Sequence, residues 1–442
     1  MIKEIKWKDY SVLKNLKLNF EKDDGSIYNT VILAGENGTG KTTILETLAT
    51  FLNLGSFKPF EYIRYDVEDS KYKITQNQET DSLYGYHNRI KENGESIKEF
   101  VSQSSDINDK ADIRYYGCVY SKARSGFITQ KIISTTNQQL DNEKYVADQN
   151  EDFTSIKQLI VDIDTQDNAE WMEITTSSAE TSFEEFKKTS RMYRFKDAFN
   201  NFFDTIKFNK VDNTDPDEKK ILFEKHGNTI SIDELSTGEK QIVFRGAYLL
   251  KNINGISNGV VLIDEPELSM HPKWQQKILN YYRDLFTDNG NQKVQLIIAT
   301  HSEYVLRSAL ENPDDILIIT LNDYDGIVKD NKISAPTVLP SITAAETNYI
   351  AFGISSTDYH IELYGWLQSK TGKGKIKECD DYIKNDPNYD KSKHEKVDIY
   401  KKTAYNTLPT YIRNAIDHPD SNRSYTPEEL EVSIKLLQKL CK

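Results

Sequence analysis

The sequence has few cysteines and no long apolar run. Its 442 residues include only Cys118, Cys379 and Cys441. An odd number of widely spaced cysteines argues against a disulfide framework or a structural zinc site and is typical of a reducing cytosol. No run reaches the roughly 18 consecutive apolar residues that a membrane-spanning helix needs. Met1 to Trp7 have no long apolar stretch after their charges, so we expect no secretory signal and a cytoplasmic location.

The sequence also has fewer basic than acidic residues. Lys and Arg number 56 against 69 Asp and Glu, which gives a net charge of −13. Any contact with nucleic acid must therefore come from a local basic patch. Hydrophobic residues make up 37% and charged residues 28%, as in an ordinary globular chain rather than a disordered one. At roughly 150 residues per domain, the length predicts two or three domains.

Apolar, β-branched runs alternate with helical periodicity in two parts of the chain. The runs predicted to be buried strands are residues 30–34, 260–263, 294–299 and 315–320. Helical spacing of apolar residues follows Lys41 and extends from Lys273 to Phe286. Strand, helix and strand in this order predict an α/β fold with a mainly parallel sheet.

The remaining segments complete the predicted organisation. Residues 56–225 are polar, and we interpret them as an insertion or lid within an α/β domain of residues 1–335. A short linker at 336–340 precedes residues 341–442, which lack obvious strands and are predicted to form an all-helical domain. Helical patterns in that domain lie at residues 344–368, 395–416 and 427–441.

A glycine-rich segment stands between the first buried strand and the helix that follows. Gly35 to Thr42 match the pattern G-x-x-x-x-G-K-[ST], which in this context predicts a loop whose backbone N–H groups surround phosphate oxygens. Lys41 is expected to reach the β- and γ-phosphates of ATP, and the Thr42 hydroxyl to help hold Mg²⁺. The alternative, a glycine turn with an exposed lysine, is disfavoured by the flanking strand and helix. The predicted nucleotide contacts are Gly35, Asn37, Gly38, Gly40, Lys41, Thr42 and Thr43.

Two adjacent acids, Asp264 and Glu265, follow the buried strand at 260–263. Ligands of open α/β sheets bind at the carboxyl ends of strands. We therefore predict that Asp264 holds the metal together with Thr42 and that Glu265 polarises the attacking water. Two acids after a strand are often only a solvated turn, but the phosphate loop upstream favours the catalytic interpretation.

Three segments carry a resemblance to a known family: Leu235 to Gln241, Asp264 to Pro272, and Ala299 to Ser302. With the phosphate loop, they resemble the motifs of ABC-type ATPases, more closely the Rad50-like and bacterial-defence AAA members than the transporters. In that family the first segment, the signature loop, closes over the γ-phosphate of a nucleotide held by a second copy. The contacts that this implies across a homodimer are Ser236, Gly238 and Glu239.

The resemblance also implies a switch residue and shows two departures. His301 would be a neutral imidazole that hydrogen-bonds the γ-phosphate. Thr237 stands where the family often has glycine, a small replacement that we expect to be tolerated. The second departure concerns the glutamine that the family usually has between the phosphate loop and the signature loop, for which Gln130 is the candidate here. The likeness covers about residues 1–55 and 225–330.

A second candidate site lies near the end of the chain. Arg413 is followed by Asn414 and then by His418 at a helix end set by Pro419. A guanidinium neutralises phosphate charge, and an imidazole can move protons at a ribose 2′-OH without a metal. The spacing resembles the Arg-x4-6-His motif of HEPN ribonucleases. An ABC-type ATPase joined to a HEPN-like domain resembles the anticodon nucleases PrrC and RloC.

Other interpretations of this region remain open. Arg413 could cap the helix or pair with Asp417 while His418 simply ends the helix. His360 and Glu362, on the first long helix of the domain, could join the site or be structural. A basic run that could guide a phosphate backbone comprises Lys370, Lys373, Lys375 and Lys377.

The combined expectation is an ATP-hydrolysing antiphage-defence protein that forms a homodimer or larger assembly. Its nucleotide-dependent dimerisation would control metal-independent RNA cleavage, with tRNA as the expected substrate, at Arg413 and His418. In the alternative, the ATPase is a sensor or scaffold that regulates a separately encoded toxin or nuclease. DNA repair of the Rad50 type is disfavoured, because residues 56–225 lack the heptads of a long coiled coil.

Overall fold

The protein divides into two compact units, Met1–Asn331 and Lys332–Lys442. Part of the linker predicted at 336–340 is outside the described residues. The computed structural model describes residues 1–67, 70–76, 87–92, 94–99, 108–124, 126–136, 153–177, 181–251, 258–288, 290–333, 337–400, 403–419 and 423–442. Within these residues, no helix combines the length and the apolar character needed to cross a membrane.

The first unit combines sheets with helices. In chain order its elements are β1 (Ile2–Trp7), β2 (Lys17–Asn19), β3 (Thr30–Gly35), α1 (Lys41–Leu52), β4 (Phe60–Val67), β5 (Ser70–Gln76), β6 (His87–Lys91), β7 (Ser96–Glu99), β8 (Cys118–Ser121), α2 (Phe153–Thr176), α3 (Phe183–Thr189), α4 (Arg191–Phe202), β9 (Ile206–Asp212), β10 (Lys220–Lys225), β11 (Asn228–Ser231), α5 (Thr237–Leu250), β12 (Val260–Asp264), α6 (Pro272–Leu285), β13 (Thr287–Asp288), β14 (Asn291–Gln292), β15 (Gln295–Thr300), α7 (Glu303–Leu310), β16 (Ile316–Tyr324) and β17 (Ile327–Ile333).

The central sheet of this unit has the strand order β17-β16-β3-β15-β12-β8. The pairs from β16 to β8 are parallel, and Ile297 of β15 is paired with Val31 on one side and Leu262 on the other. These side chains are fully buried, as expected for strands that are covered on both faces. The predicted α/β fold with a mainly parallel sheet is confirmed. Its parallel strands bring their carboxyl ends to one edge, where the phosphate loop also lies.

A second, antiparallel sheet has the order β2-β1-β4-β5-β6-β7. Side chains of β4 alternate towards the core, so that Ile63, Tyr65 and Val67 are buried. The ring of Phe60 packs against Trp7 of β1, with centroids 5.6 Å apart. Residues 56–225, predicted to be one insertion or lid, therefore contribute β4 to β7 to this sheet and β8 to the parallel sheet.

A helical layer packs around α5. The helix predicted over Phe183 to Phe203 is two helices, because Ser190 ends α3 and its side chain accepts a hydrogen bond from the Tyr193 N–H to begin α4. Helix α5 lies very close to α6 at Gly246, where a Cβ atom would lie 2.3 Å from the Tyr281 hydroxyl. A glycine is therefore required for this contact.

The second unit is mainly helical. Its elements are α8 (Ala344–Phe352), α9 (Thr357–Thr371), α10 (Ile376–Lys384), α11 (Lys391–His394), β18 (Glu395–Tyr400), β19 (Thr403–Thr407), α12 (Leu408–Asp417) and α13 (Pro427–Cys441). The core includes Tyr359, Leu363 and Leu367 of α9 and Ile434 and Leu437 of α13.

A β-hairpin in this unit was not predicted from the sequence. Strands β18 and β19 occupy much of the segment predicted as helix at 395–416, and the helix itself begins only at Leu408. The buried carboxylate of Asp380 accepts hydrogen bonds from the backbone N–H groups of Asn406 and Thr407 and from the Thr407 hydroxyl. This tertiary contact, rather than local propensity, fixes the end of the hairpin and the start of α12.

All three cysteines lie in the interior. Burial raises the pKa of the Cys118 thiol, of Cys379 to about 11 and of Cys441 to about 12. None of them is placed to act as a nucleophile at neutral pH.

Candidate nucleotide-hydrolysis site

The phosphate loop begins where β3 ends. Gly35 has a φ of 142°, and a Cβ atom on it would lie 2.2 Å from the Leu321 carbonyl oxygen of the adjacent strand. Gly38 and Gly40 also have positive φ, at 85° and 88°, and Gly40 caps α1. Asn37 and Gly38 are exposed. The loop thus adopts backbone conformations that favour glycine and leads directly into a helix N-terminus suited to phosphate.

Lys41 and Thr42 occupy the first turn of α1. The ammonium of Lys41 donates hydrogen bonds of 2.8 Å to the carbonyl oxygens of Gly35 and Glu36. Burial lowers the pKa of Lys41 to about 8, while the carboxylates of Glu265 and Asp264 act in the opposite direction. Its neighbours thus favour the charged form, which a triphosphate would favour further.

Thr42 connects the loop to the carboxyl end of β12. Its hydroxyl donates a hydrogen bond of 3.0 Å to Oδ2 of Asp264, which is buried at the strand end. Burial raises the pKa of Asp264, and the hydrogen bond from Thr42 lowers it. A hydroxyl and a carboxylate oxygen side by side match the hard oxygen ligands of Mg²⁺, which commonly takes only a few protein ligands beside phosphates. Thr43, next on α1, is half-buried.

Glu265 has a left-handed backbone conformation, with φ of 44°. Its N–H donates to the carbonyl oxygen of Ala299 on the neighbouring strand, at 2.9 Å. Non-glycine residues rarely adopt this conformation, and where they do, the surroundings must hold them there. The carboxylate of Glu265 remains half-exposed beside the phosphate loop.

His301 follows β15 and faces the same edge. Its Nε2 lies 3.6 Å from Oε1 of Glu265. Burial and then the positive charge of Lys41 lower the pKa of His301, while Glu265 and the backbone of Gly35 act to raise it. The net effect favours the neutral imidazole at pH 7, in which one ring nitrogen can donate a hydrogen bond and the other can accept one.

Arg245 is a residue of this site that the sequence did not reveal. From α5, its buried guanidinium donates hydrogen bonds to the carbonyl oxygens of Asp264, at 2.5 Å, and Glu265, at 2.9 Å. It also donates to the hydroxyl and carbonyl oxygens of Ser121, each at 2.8 Å. One side chain thus ties the ends of β12 and β8 to α5. Its only signal in the sequence is a single charge within an apolar helical run.

Glu267 is the second residue that sequence reasoning did not single out. Its Oε1 accepts hydrogen bonds from the Thr300 hydroxyl, at 2.8 Å, and from the backbone N–H of His301, at 2.7 Å. Burial raises the pKa of this carboxyl group, and these two hydrogen bonds lower it. The signal was a third acid within three residues of Asp264.

The segment from Ser236 to Glu239 forms the start of α5. Ser236 is exposed and caps the helix, with a reciprocal capping box between Ser236 and Glu239. Glu239 is buried and forms an ion pair of 2.7 Å with Lys225. A Cβ atom on Gly238 would lie 2.6 Å from the carbonyl oxygen of Ser269, so this helix end packs directly on the loop that follows Glu267. Thr237 is exposed.

Gln130 lies next to α2. Its backbone N–H donates to the Thr154 hydroxyl at 3.1 Å, and its carbonyl oxygen accepts from Lys157 at 3.4 Å. The strand that borders β12 ends at Ser121, well before Gln130 in the chain. The structure thus ties Gln130 to α2 and assigns it no contact with the phosphate loop among the described hydrogen bonds.

Comparisons with known proteins agree with this geometry. A family model described as "AAA domain, putative AbiEii toxin, Type IV TA system" matches residues 182–307, which include Ser236, Asp264, Glu265 and His301. The chain is 24% identical over 335 residues to "Septu protein PtuA" of Bacillus thuringiensis, covering 71% of this chain and 74% of that protein. It is 26% identical over 387 residues to "Retron Vc95 probable ATPase" of Vibrio cholerae serotype O1 biovar El Tor, covering 71% and 73%.

Residues 182–307 are thus similar to an AAA-type ATPase domain, and the chain is similar to proteins named as a Septu protein and a probable ATPase. ATP and Mg²⁺ are the cofactors of such an ATPase. Among solved structures, the Smc head domain of Pyrococcus furiosus is similar, with 14% sequence identity and a TM-score of 0.40 over 75% of this chain and 96% of that chain.

The helical unit, Lys332–Lys442, carries the second predicted site. Arg413 forms an ion pair of 2.5 Å with Asp417 one turn later, and its Nη1 donates to Oδ1 of Asn414 at 3.1 Å. His418 is exposed and caps α12, with its backbone N–H bonded to the Asn414 carbonyl oxygen. The structure therefore places Arg413 and His418 in the same helix end, with the guanidinium bound to an acid of its own helix.

His360 and Glu362 have structural contacts. His360 is fully buried and hydrogen-bonded to the Ser433 hydroxyl at 2.9 Å, and burial lowers its pKa to about 3. Glu362 accepts a hydrogen bond of 2.7 Å from Thr343. His360 is therefore not available as a proton donor to an exposed substrate.

The basic run of the helical unit is largely paired within the unit. Lys370 donates to the Cys441 carbonyl oxygen at 2.7 Å, Lys375 pairs with Glu378 at 3.2 Å, and Lys377 pairs with Asp381 at 2.8 Å. These contacts reduce the positive charge that the run offers to a phosphate backbone.

Proposed function

We propose that the chain is an antiphage-defence ATPase in which two ATP-bound copies pair, and that this pairing controls an effector. The observation that carries the ATPase site is the hydrogen bond between Thr42 and Asp264, with Glu265 and His301 at the same sheet edge. These are the groups needed to bind Mg²⁺, orient water and contact the γ-phosphate.

Each side chain has a distinct role in this proposal. Lys41 leaves its loop carbonyl partners and neutralises the β- and γ-phosphates. Thr42 and Asp264 hold Mg²⁺, which when bound neutralises charge that develops on the phosphate oxygens. Glu265 orients the attacking water and accepts its proton, and neutral His301 hydrogen-bonds the γ-phosphate.

Pairing of two copies is supported by the start of α5. Ser236 is exposed there, and its hydroxyl and backbone N–H hydrogen-bond only to Glu239 among the described contacts. A helix N-terminus with an exposed hydroxyl favours an anionic ligand. No described hydrogen bond joins Ser236 to the phosphate loop of the same chain, so in this proposal Ser236 serves the nucleotide of a second copy.

Mixing two inactive variants tests this arrangement. Lys41→Ala removes nucleotide binding, and Ser236→Arg blocks the signature loop without touching the loop that binds phosphate. In a mixed dimer one site combines an intact Lys41 with an intact Ser236. Equal mixing should restore about a quarter of wild-type turnover if the sites act independently, because half of the dimers are mixed and each has one of two sites intact.

The controls for this mixing are each variant alone and a mixture of Lys41→Ala with the double variant. None of these three samples should hydrolyse ATP above background. A mixture of the two single variants that stays at background, with mixed dimers demonstrated by differently tagged chains, would count against pairing through Ser236.

A role in defence is supported by the relatives, which are named as a Septu protein and a retron ATPase. The chain should lower phage plating efficiency in a sensitive host when expressed with its neighbouring genes. Glu265→Gln, which keeps ATP binding but removes the base, should abolish protection at equal protein levels. Equal protection by this variant would separate defence from ATP hydrolysis.

For the helical unit, the contacts favour a module that binds a separately encoded toxin or nuclease. The pairing of Arg413 with Asp417 and of Lys377 with Asp381 leaves less unpaired cationic charge for RNA. In this case Arg413→Ala and His418→Ala should leave phage protection intact, and the purified chain with ATP should cut no RNA.

Metal-independent RNA cleavage is the second candidate for this unit. It is favoured by the exposed His418, which lies at the end of the helix that carries Arg413. Purified protein with ATP and total tRNA should then produce cleaved RNA, and Arg413→Ala and His418→Ala should abolish it. The matched control is His226→Ala, an exposed histidine of the first unit. Cleavage should continue in EDTA once the nucleotide dependence has been bypassed.

A further inference from the structure

Glu267 lies between the two segments that carry the reacting groups. It follows Glu265 by two residues, and its side chain is 9% exposed. The carboxylate points to the end of β15, where Oε1 accepts hydrogen bonds from Thr300 and from the N–H of His301. The loop after β12 is thereby attached to the turn after β15.

The hydrogen bonds around His301 form a short chain that ends at Glu267. The N–H of Ser302 donates to Oγ1 of Thr300 at 3.0 Å, and the Thr300 hydroxyl donates in turn to Glu267. Glu267 therefore holds Thr300 and the N–H of His301 directly, and it holds Ser302 through Thr300. A backbone held in this way restricts the directions in which the imidazole can point.

The second oxygen of Glu267 makes this arrangement unusual. Oε2 is buried and has no hydrogen-bond partner among the described residues. An unpaired carboxyl oxygen in a buried position is costly, and burial raises the pKa of this group. Packing alone does not require a carboxyl group at this position. The contribution of Glu267 must therefore come from the hydrogen bonds that Oε1 accepts.

The loop that carries Glu267 is also the loop that carries Glu265. The N–H of Met270 donates to the Glu267 carbonyl oxygen at 3.0 Å. The N–H of Leu268 donates to the Glu265 carbonyl oxygen at 3.2 Å. A compact turn thus connects the base, the acceptor Glu267 and the loop beneath α5. Movement of this turn would displace His301 and Glu265 together.

We infer that Glu267 is a positioning residue for ATP hydrolysis, which sets the distance between the imidazole of His301 and the carboxylate of Glu265. That distance is 3.6 Å between Nε2 and Oε1. Glu267 acts through His301 and does not touch the nucleotide. The inference rests on the proposed roles of Glu265 and His301 in hydrolysis.

Steady-state ATPase assays with the purified chain test it. Glu267→Ala should lower kcat about 10- to 100-fold, because displaced catalytic groups cost rate rather than binding. The KM for ATP and the binding of a fluorescent ATP analogue should stay within about twofold, because Lys41 and Thr42 are untouched. Glu311→Ala, at an exposed acid beyond α7, is the matched control and should retain wild-type kcat.

A double-mutant cycle separates positioning of His301 from a general structural effect. Glu267→Ala in a His301→Ala background should lower kcat by less than twofold, because the group that Glu267 positions is gone. Multiplied effects of the two substitutions would overturn the inference. Wild-type turnover in His301→Ala would instead contradict the proposed role of His301 itself.

Glu267→Gln keeps the test valid if the alanine variant folds poorly. The amide oxygen replaces Oε1 and accepts both hydrogen bonds, so kcat should stay within about threefold of wild type. A folded glutamine variant as impaired as Glu267→Ala would overturn the inference, because acceptance by one oxygen would then not be what matters. Wild-type kcat in a folded Glu267→Ala would overturn it as well.

Discussion

The guanidinium of Arg245 donates a hydrogen bond of 2.9 Å to the carbonyl oxygen of Glu265, which has a φ of 44°. The residue proposed as the base is therefore held in a strained conformation by a side chain from α5. Ser236 caps the N-terminus of the same helix. The segment around Ser236 and the segment that carries Glu265 are therefore both attached to α5. Strain of this kind persists only where several contacts enforce it.

Arg245→Lys should lower kcat at least about 10-fold while ATP binding changes by less than about twofold. Lysine keeps the charge, but it cannot reach both strand ends with a fixed fork of donors. The measurement is steady-state hydrolysis together with titration of a fluorescent ATP analogue. Arg307→Lys on α7 is the control and should behave as wild type. Equal losses of ATP binding and of turnover would instead show that Arg245 maintains the fold and does not specifically position Glu265.

Glu265→Gln should lower kcat about 100- to 10,000-fold, because the amide cannot accept a proton from water. Binding of ATP and Mg²⁺ should persist, since Thr42 and Asp264 are unchanged. Glu36→Gln, an exposed acid of the phosphate loop, is the control for charge near the nucleotide. Residual turnover near that of wild type would exclude Glu265 as the base.

Lys157 should stabilise the segment that precedes the start of α5. Its side chain is 2% exposed and lies 2.7 Å from Asp233 and 3.6 Å from Glu218. Lys157→Met leaves Glu218 without this partner and should reduce the free energy of unfolding by about 1–3 kcal/mol. Chemical denaturation measures this change. Lys131→Met is the matched control, because Lys131 is 71% exposed and lies 3.9 Å from the same Glu218.

His360 should make stability depend on pH. Its pKa is lowered from 6.5 to about 3 by burial, so the unfolded chain binds a proton between these values and the folded chain does not. The stability contributed by the neutral imidazole is present above pH 6.5 and is lost as the pH falls towards 3. The loss should approach about 1.4 kcal/mol per pH unit below 6.5.

Comparison with His360→Gln isolates this contribution. The variant should be less stable than wild type at pH 7.5, and the difference should shrink at pH 5.0, as measured by denaturation of the full chain at each pH. His394→Gln, at a partly exposed position in the same unit, should reduce the pH dependence less than His360→Gln, because burial also lowers the pKa of His394. An unchanged dependence in His360→Gln would show that other groups cause it.

The α/β fold was predictable because its strands are continuous apolar runs, each of which is recognised locally. The phosphate loop and the acids after β12 were also visible, since each is contiguous in the sequence. Arg245 and Glu267 were not, because their hydrogen-bond partners lie in distant segments of the chain. The hairpin at β18 and β19 escaped prediction for the same reason, since the Asp380 contacts that end it come from another helix.

The interior position of every cysteine has a practical consequence for following this protein in solution. Thiols that remain protonated and shielded react slowly with maleimides, so the natural chain needs no cysteine removal before labelling. A single cysteine introduced at the exposed position of Ser236 would then be the main attachment point for a fluorophore. Protection of that label when ATP is added would report directly on burial of the signature loop.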